Sequence, residues 1–309
     1  QQLPRSLPKR RHDTLPSDNE PQLKRARLTR TNLALFDKMV KDFNPSARHS
    51  AGSALGKSTV VSSSRTMSTT MSGFALQAEK NGILDPSSSK PPANLHNIHE
   101  RYDRSRRTAS PTESAYEDYI NRVERAVNET TMIYEVGGKL LKEYPDKRYT
   151  RAFNQAFTDF PKDVGFNNCL SAPQPDFIEG LEAREYRPMP VDEHISGAVL
   201  YKDNPRSITL PHLAGEWKGR GKDMDEARLQ SAFDGAALVY SRNQALSYIG
   251  KSDPPGHAEI TTFTTDGTTL NLFAHFAAPS KDGILEYHQF RIKSTNLIDT
   301  HQGHKNGRR

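Results

Sequence analysis

Glu216, Trp217 and Lys218 are the residues of this 309-residue chain whose types and spacing best suit chemistry. They close an apolar, strand-like run from Ser207 and precede a glycine-rich exit, Gly219-Arg220-Gly221. Side chains alternate faces along a strand, so Glu216 and Lys218 point one way and Trp217 points the other, toward a core. A carboxylate and an ammonium side by side at a strand end, with an aromatic anchor behind them, suit metal-assisted phosphodiester chemistry. The same three residues also read as a surface ion pair on an edge strand, an arrangement that is common and worth little. Competing chemistries have poorer support. Cysteine and histidine show no zinc spacing. His212, His275 and His288 are isolated and read as strand or loop residues. A Gly-x-Ser-x-Gly elbow is absent, and Asn154, Gln155 and Cys169 form no nucleophile set.

The elements around this stretch follow from local signals. Ser110-Pro111-Thr112-Glu113 marks a helix start, with serine capping, proline at the first position and glutamate closing the box. That helix is expected to run through Tyr116, Ile120, Val123 and Val127, with Gly137-Gly138 bending or ending it. Residues 150–175 read as loop with short helical pieces. Strands are expected at Pro175–Leu181 and around Ser196–Tyr201, before the strand that ends in Glu216-Trp217-Lys218. Asp223 and Glu226 cap a second helix, whose buried side is marked by Leu229, Phe233, Ala236, Tyr240 and Ile249, and Gly250 ends it. His257–Thr265 and Thr268–Ala277 flank Asp266-Gly267, a favoured hairpin turn, and Tyr287–Ile292 reads as the last strand. Together these give one α/β domain over 111–309.

The N-terminal third is different. Apolar residues make up 34% of the chain, mean hydropathy is −0.78, and there are 20 Pro and 19 Gly, which predicts a disordered part. Residues 1–110 carry 19 Lys/Arg against 9 Asp/Glu, whereas the remainder carries 24 against 28. The pI near 9.2 therefore reports a basic tail, and any nucleic-acid footprint on the fold is a local patch. Residues 1–72 are expected to be that tail, with a short amphipathic helix at 31–43, and 73–110 a lead-in. Two basic clusters, Lys9-Arg10-Arg11 and Lys24-Arg25-Ala26-Arg27, have the spacing of a bipartite nuclear-import signal, implying an import receptor as partner and the nucleus as location. A nonspecific basic tail is the alternative. Ala51 to Ser58 matches a loose phosphate-loop pattern, but its flanks supply neither strand nor helix, so no nucleotide is expected there. No apolar run spans a membrane, and a single cysteine, Cys169, precludes an intramolecular disulfide.

Pro175-Asp176, followed 40 positions later by Glu216-Trp217-Lys218, resembles the Pro-Asp…(Asp/Glu)-X-Lys signature of the restriction-endonuclease-like nucleases. The gap exceeds the usual spacing and requires the proline-rich insertion at 182–206. The resemblance implies a central mixed sheet flanked by helices, and Mg²⁺ or Mn²⁺ held by Asp176 and Glu216 with the Trp217 carbonyl. Lys218 would orient or deprotonate the attacking water, and DNA or RNA would be the substrate. It also implies a polar helix residue facing the site, for which Gln230 is the candidate. Glu117, Glu124 or Glu129 could supply an extra acid, and Arg220 and Lys222 phosphate contacts. Glu179, three residues beyond Asp176, falls on the opposite strand face. The blocks SPTESAYEDYI, GFNNCLSAPQPDFIEGL, LPHLAGEWKGRGKD and SAFDGAALVYSRNQALSYIG resemble a family of uncharacterised fungal proteins, which implies no substrate. Two other expectations stand beside hydrolysis. One is an inactive member of the fold that binds nucleic acid or protein. The other is a scaffold whose basic tail carries the function.

Overall fold

The apolar run that ends in Glu216-Trp217-Lys218 forms the third strand of a six-stranded mixed sheet with helices on both faces. The structure is a computed structural model that describes residues 66–308, apart from 105–108, 142–145, 188, 190 and 203. The basic clusters at 9–11 and 24–27, the helix expected at 31–43 and the phosphate-loop lookalike at 51–58 lie outside the described residues.

The strands are β1 (Tyr149–Phe153), β2 (Phe177–Glu182), β3 (Ile208–Trp217), β4 (Ile260–Thr265), β5 (Thr269–Pro279) and β6 (Leu285–Asn296), and they lie in chain order across the sheet. All neighbours are antiparallel except β3 and β4. A parallel pair needs a crossover. The 25-residue helix Met224–Tyr248 supplies it, and Asp223 caps that helix by accepting from the amides of Asp225 and Glu226. Phe233 and Ala236 are buried as expected, whereas Ile249 is 46% exposed beyond the helix end. Asp266 organises the β4–β5 turn: its Oδ1 accepts from the amides of Thr268 and Thr269, and Gly267 takes a positive φ of 81°.

Strand alternation divides the core. Ile178 and Ala214 face the crossover helix and pack in one cluster with its Phe233 and with Phe74 and Phe166. Phe177, Trp217 and Phe263 face the other way, against Tyr119, Val123, Met132 and Val136. Residues 73–104 contribute to the first layer through α1 (Phe74–Lys80), with α2 (Leu95–Asp103) following, so this part of the lead-in packs as part of the body.

Several expectations are corrected. The first helix is two: α3 (Glu113–Arg125) and α4 (Glu129–Leu140). Thr112 caps α3, its hydroxyl accepting from the Ala115 amide at 3.2 Å, so Ser110 does not. Asn128 then caps a fresh helix by accepting from the Thr131 amide at 2.9 Å, and Gly137-Gly138 lies within it. A side-chain cap inside the sequence outweighs the glycine pair as a break. No strand forms at 196–201. β4 flanks β3 only from Leu213 onward, and at the start of β3 residues 198–200 make a single bridge, Val199 to Thr209. A four-residue helix, α5 (Val191–His194), lies in that proline-rich segment. The crossover is α6, and α7 (His301–Gly307) follows β6.

Candidate active site

Antiparallel pairing of Phe177 with Gly215 places the preceding residue, Asp176, beside Glu216. The pair is tied both ways by backbone donors. The Asp176 amide donates to Glu216 Oε1 at 3.3 Å, and the Trp217 amide donates to Asp176 Oδ2 at 2.8 Å. Trp217 itself is fully buried in the layer against α3 and α4, so Glu216 and Lys218 are turned to the α6 side, as the alternation requires. Lys218 is 9% exposed; its Nζ lies 3.5 Å from Glu129 Oε2 and 3.8 Å from Glu226 Oε1. Glu129 is the first residue of α4 and Glu226 lies in the first turn of α6.

The structure adds Asp234, which the sequence reading did not single out. It is fully buried within α6, and its carboxyl is hydrogen-bonded to that of Glu216. Glu226, Gln230 and Asp234 recur every four residues and share one stripe of α6. An acid set among Phe233, Gly235, Ala236 and Ala237 was the available signal, because carboxylates are almost never buried without a partner.

Charge is unbalanced here. Burial pushes the Asp176 carboxyl up to about 6; the Glu129 charge adds to this, while the Trp217 amide and Lys218 oppose it. Burial also holds Glu216 well above the ordinary range, reinforced by the charges of Asp234 and Asp176. Asp234 is raised mainly by burial as well. Two buried carboxyls in contact cannot both ionise without a cation, and one proton shared between them is the state open to the protein alone.

Other residues are placed elsewhere. Gln230 lies on the stripe, but its Nε2 donates to Thr69 Oγ1 at 3.2 Å rather than to the acids, and its Oε1 has no partner. Glu117 and Glu124 are exposed on α3 and are not brought to the acids, whereas Glu129 is brought to Lys218. Arg220 and Lys222 are exposed on the exit after β3. Glu179 lies on the opposite face, paired with Arg151 at 2.5 Å, with His212 at 3.7 Å. His275 bonds Thr262 and His288 stacks on Phe276, each outside the acidic group.

Hard oxygen donors of this kind fit Mg²⁺ or Mn²⁺ chemically. Asp234 Oδ2 is buried without a hydrogen-bond partner, which is the kind of vacancy in bonding that a cation satisfies. Among the described residues, no three His, Cys, Asp or Glu side chains already enclose a common point as a metal cage. The acids are instead held as two contacts, Asp176 with Glu216 and Glu216 with Asp234. No protein-family model matches the chain, and no curated protein matches it. Among the described residues, no helix is long and apolar enough to cross a membrane.

Proposed function

We propose that the chain carries a metal-dependent phosphodiesterase site acting on DNA or RNA, built on Asp176, Glu216 and Lys218. The observation behind this reading is the meeting of Asp176 and Glu216, 40 residues apart, across β2 and β3, with Lys218 two residues further along the same face. The order of elements supports a restriction-endonuclease-like core: helices, three antiparallel strands, a long crossover helix, then a strand parallel to the third.

Asp176 and Glu216 would hold Mg²⁺ or Mn²⁺ through carboxylate oxygens, with the Trp217 carbonyl as a further donor. When bound, the ion polarises the scissile phosphate and lowers the pKa of a coordinated water. The Trp217 amide fixes the Asp176 carboxylate, and Asp176 in turn fixes Glu216, so the acids are positioned before substrate arrives. Lys218 orients the water and offsets charge that builds on the phosphoryl oxygens. Its ammonium must first yield its contacts with Glu129 and Glu226, both of which are partly exposed and therefore weak.

One observation favours a non-catalytic member of the same fold, with a protein rather than a nucleic acid as its partner. A cavity of about 850 Å³ beside α6 is lined by Glu79, Asp85, Asp223, Asp225 and Glu226 against Arg228, whereas phosphate-binding grooves are basic. The deciding experiment incubates the purified chain with labelled single- and double-stranded DNA and RNA in Mg²⁺ or Mn²⁺. Hydrolysis is expected, and Lys218→Ala abolishes it while the melting curve persists. Salt-sensitive binding without turnover selects a nucleic-acid-binding module. Neither activity nor binding removes the hydrolytic reading and leaves the protein partner. Nuclear import through 9–11 and 24–27 belongs to the same proposal, and replacing both clusters by alanine in a fluorescently tagged chain is expected to leave it in the cytoplasm.

A further inference from the structure

We propose that Asp234 is a third carboxylate of the cation site, contributed by α6 rather than by the strands. This inference rests on the metal-dependent reading of Asp176 and Glu216. It names a residue that the Pro-Asp…Glu-X-Lys pattern does not contain.

Asp234 contributes little to folding where it stands. Aspartate has a poor helix propensity. Only 3% of this residue is exposed, and its neighbours in sequence are Phe233 and Gly235-Ala236-Ala237, so an alanine or leucine would suit the helix interior better. A buried charge persists when something compensates it. Structural aspartates of this kind accept from backbone amides or hydroxyls, but Oδ2 of Asp234 has no hydrogen-bond partner. The hydroxyls of Ser231 and Thr262 are committed elsewhere. Ser231 Oγ lies 2.6 Å from Thr262 Oγ1, which lies 2.7 Å from His275 Nε2, and Gln289 Nε2 donates to Ser231 at 3.2 Å.

What faces Asp234 instead is the carboxyl of Glu216, which is also 3% exposed and already tied to Asp176. The cation that acts on this group is Lys218, and its Nζ is placed against Glu129 and Glu226. Two buried carboxyls that share one proton, with one oxygen of Asp234 left unpartnered and a third carboxyl alongside, call for a small positive charge. A proton serves one contact. A divalent ion with hard-oxygen preference would serve all three. The helix then has a role in the site beyond crossing the sheet, because it delivers the acid that faces Glu216.

The test uses the full chain and Mn²⁺ or Mg²⁺ alone, without nucleic acid. Wild type, Asp234→Asn and Asp234→Ser are compared by titration calorimetry and by melting temperature. Wild type is expected to bind Mn²⁺ and melt higher in its presence. Asp234→Asn is expected to melt at or above the wild-type temperature without cation, which shows that the fold is intact, and to bind Mn²⁺ at least about tenfold more weakly. Asp234→Ser guards against a packing fault in one variant. An anomalous Mn²⁺ peak beside Asp234 in a crystal would agree. Wild-type Mn²⁺ affinity, within twofold, in both variants overturns the role of Asp234 and leaves the Asp176–Glu216 reading standing. No Mn²⁺ or Mg²⁺ binding by the wild type removes both.

Discussion

Lys218 Nζ lies 3.5 Å from Glu129 Oε2, which joins the end of β3 to the first residue of α4. The junction is close-packed as well as charged. A Cβ on Gly219 would come 3.2 Å from the Asn128 Cα, so the chain leaving β3 passes directly under the cap of α4. The lysine is therefore held at the site by two acids that are themselves partly exposed, an arrangement that positions it without binding it tightly.

Replacing both acids, Glu129→Gln with Glu226→Gln, should free Lys218 and remove two negative charges from the site. Stability is expected to change by less than about 1 kcal/mol per substitution, because each carboxylate is solvent-screened. Affinity for a labelled oligonucleotide should rise about fivefold at low salt, with a steeper salt dependence, since a free cation can neutralise a phosphate. Fluorescence anisotropy across a salt series reads both. Unchanged affinity would mean that Lys218 does not meet the nucleic acid.

Gly235 of α6 packs directly against His275 of β5. A Cβ there would lie 2.1 Å from His275 Nδ1, and the ring cannot withdraw because its Nε2 is held by Thr262 at 2.7 Å. Gly235→Ala should therefore cost about 3 kcal/mol or more, at or above the usual overpacking range. Urea denaturation measures this, and a loss under about 0.5 kcal/mol would show that the helix can lift off the sheet.

His275 also sets a pH dependence. Burial holds the imidazole down to about 3, whereas an unfolded histidine titrates near 6.5. The unfolded chain thus takes up a proton that the folded chain refuses. Stability from this group is complete above about pH 6.5 and is lost as pH falls toward 3, at up to about 1.4 kcal/mol per pH unit. His275→Gln removes that titration. The wild-type-minus-variant difference in denaturant midpoint should shrink steadily from pH 7 to pH 4, and a flat difference would place the loss in other groups.

Much of the site's strand half was legible in sequence, and the helix half was not. Alternation alone assigned Trp217 to the core and Glu216 and Lys218 to the other face. The Asp176 spacing pointed to a partner strand. Asp234 escaped because α6 is buried on most of its circumference, well beyond the stripe read from Leu229, Phe233, Ala236 and Tyr240, so an acid off that stripe passed for a solvated residue. β1 escaped for the opposite reason. Tyr149–Phe153 is a short edge strand, half exposed, with too few buried positions to show alternation. The apolar run Ala198–Leu200 imitated a strand because its side chains are buried, and it does hydrogen-bond the start of β3, but the pairing stops at one bridge, Val199 to Thr209, next to Leu210, which takes a positive φ of 43°. The break between α3 and α4 was written in Asn128, a capping residue that counted for less than the glycine pair after it.

Asp176 offers the most direct test of the unbalanced charge at the site. Its folded carboxyl is raised to about 6, against about 4 for an unfolded aspartate. The folded state therefore holds its proton more strongly. The stabilisation is present below about pH 4 and is lost as pH rises through 6. Above pH 6 the ionised carboxylate costs the fold up to about 3 kcal/mol, by the equivalence of one pKa unit to about 1.4 kcal/mol. Asp176→Asn keeps an oxygen to accept the Trp217 amide, now 2.8 Å from Asp176 Oδ2, and removes the charge. The variant should be more stable than wild type at pH 8 and about equal at pH 4. Millimolar Mn²⁺ should close the gap at pH 8 by stabilising the wild type alone. Denaturant midpoints at the two pH values, each with and without Mn²⁺, provide the measurement. A variant less stable than wild type at pH 8 without cation would mean that the Asp176 charge is already compensated within the protein, which removes the need for a bound cation there.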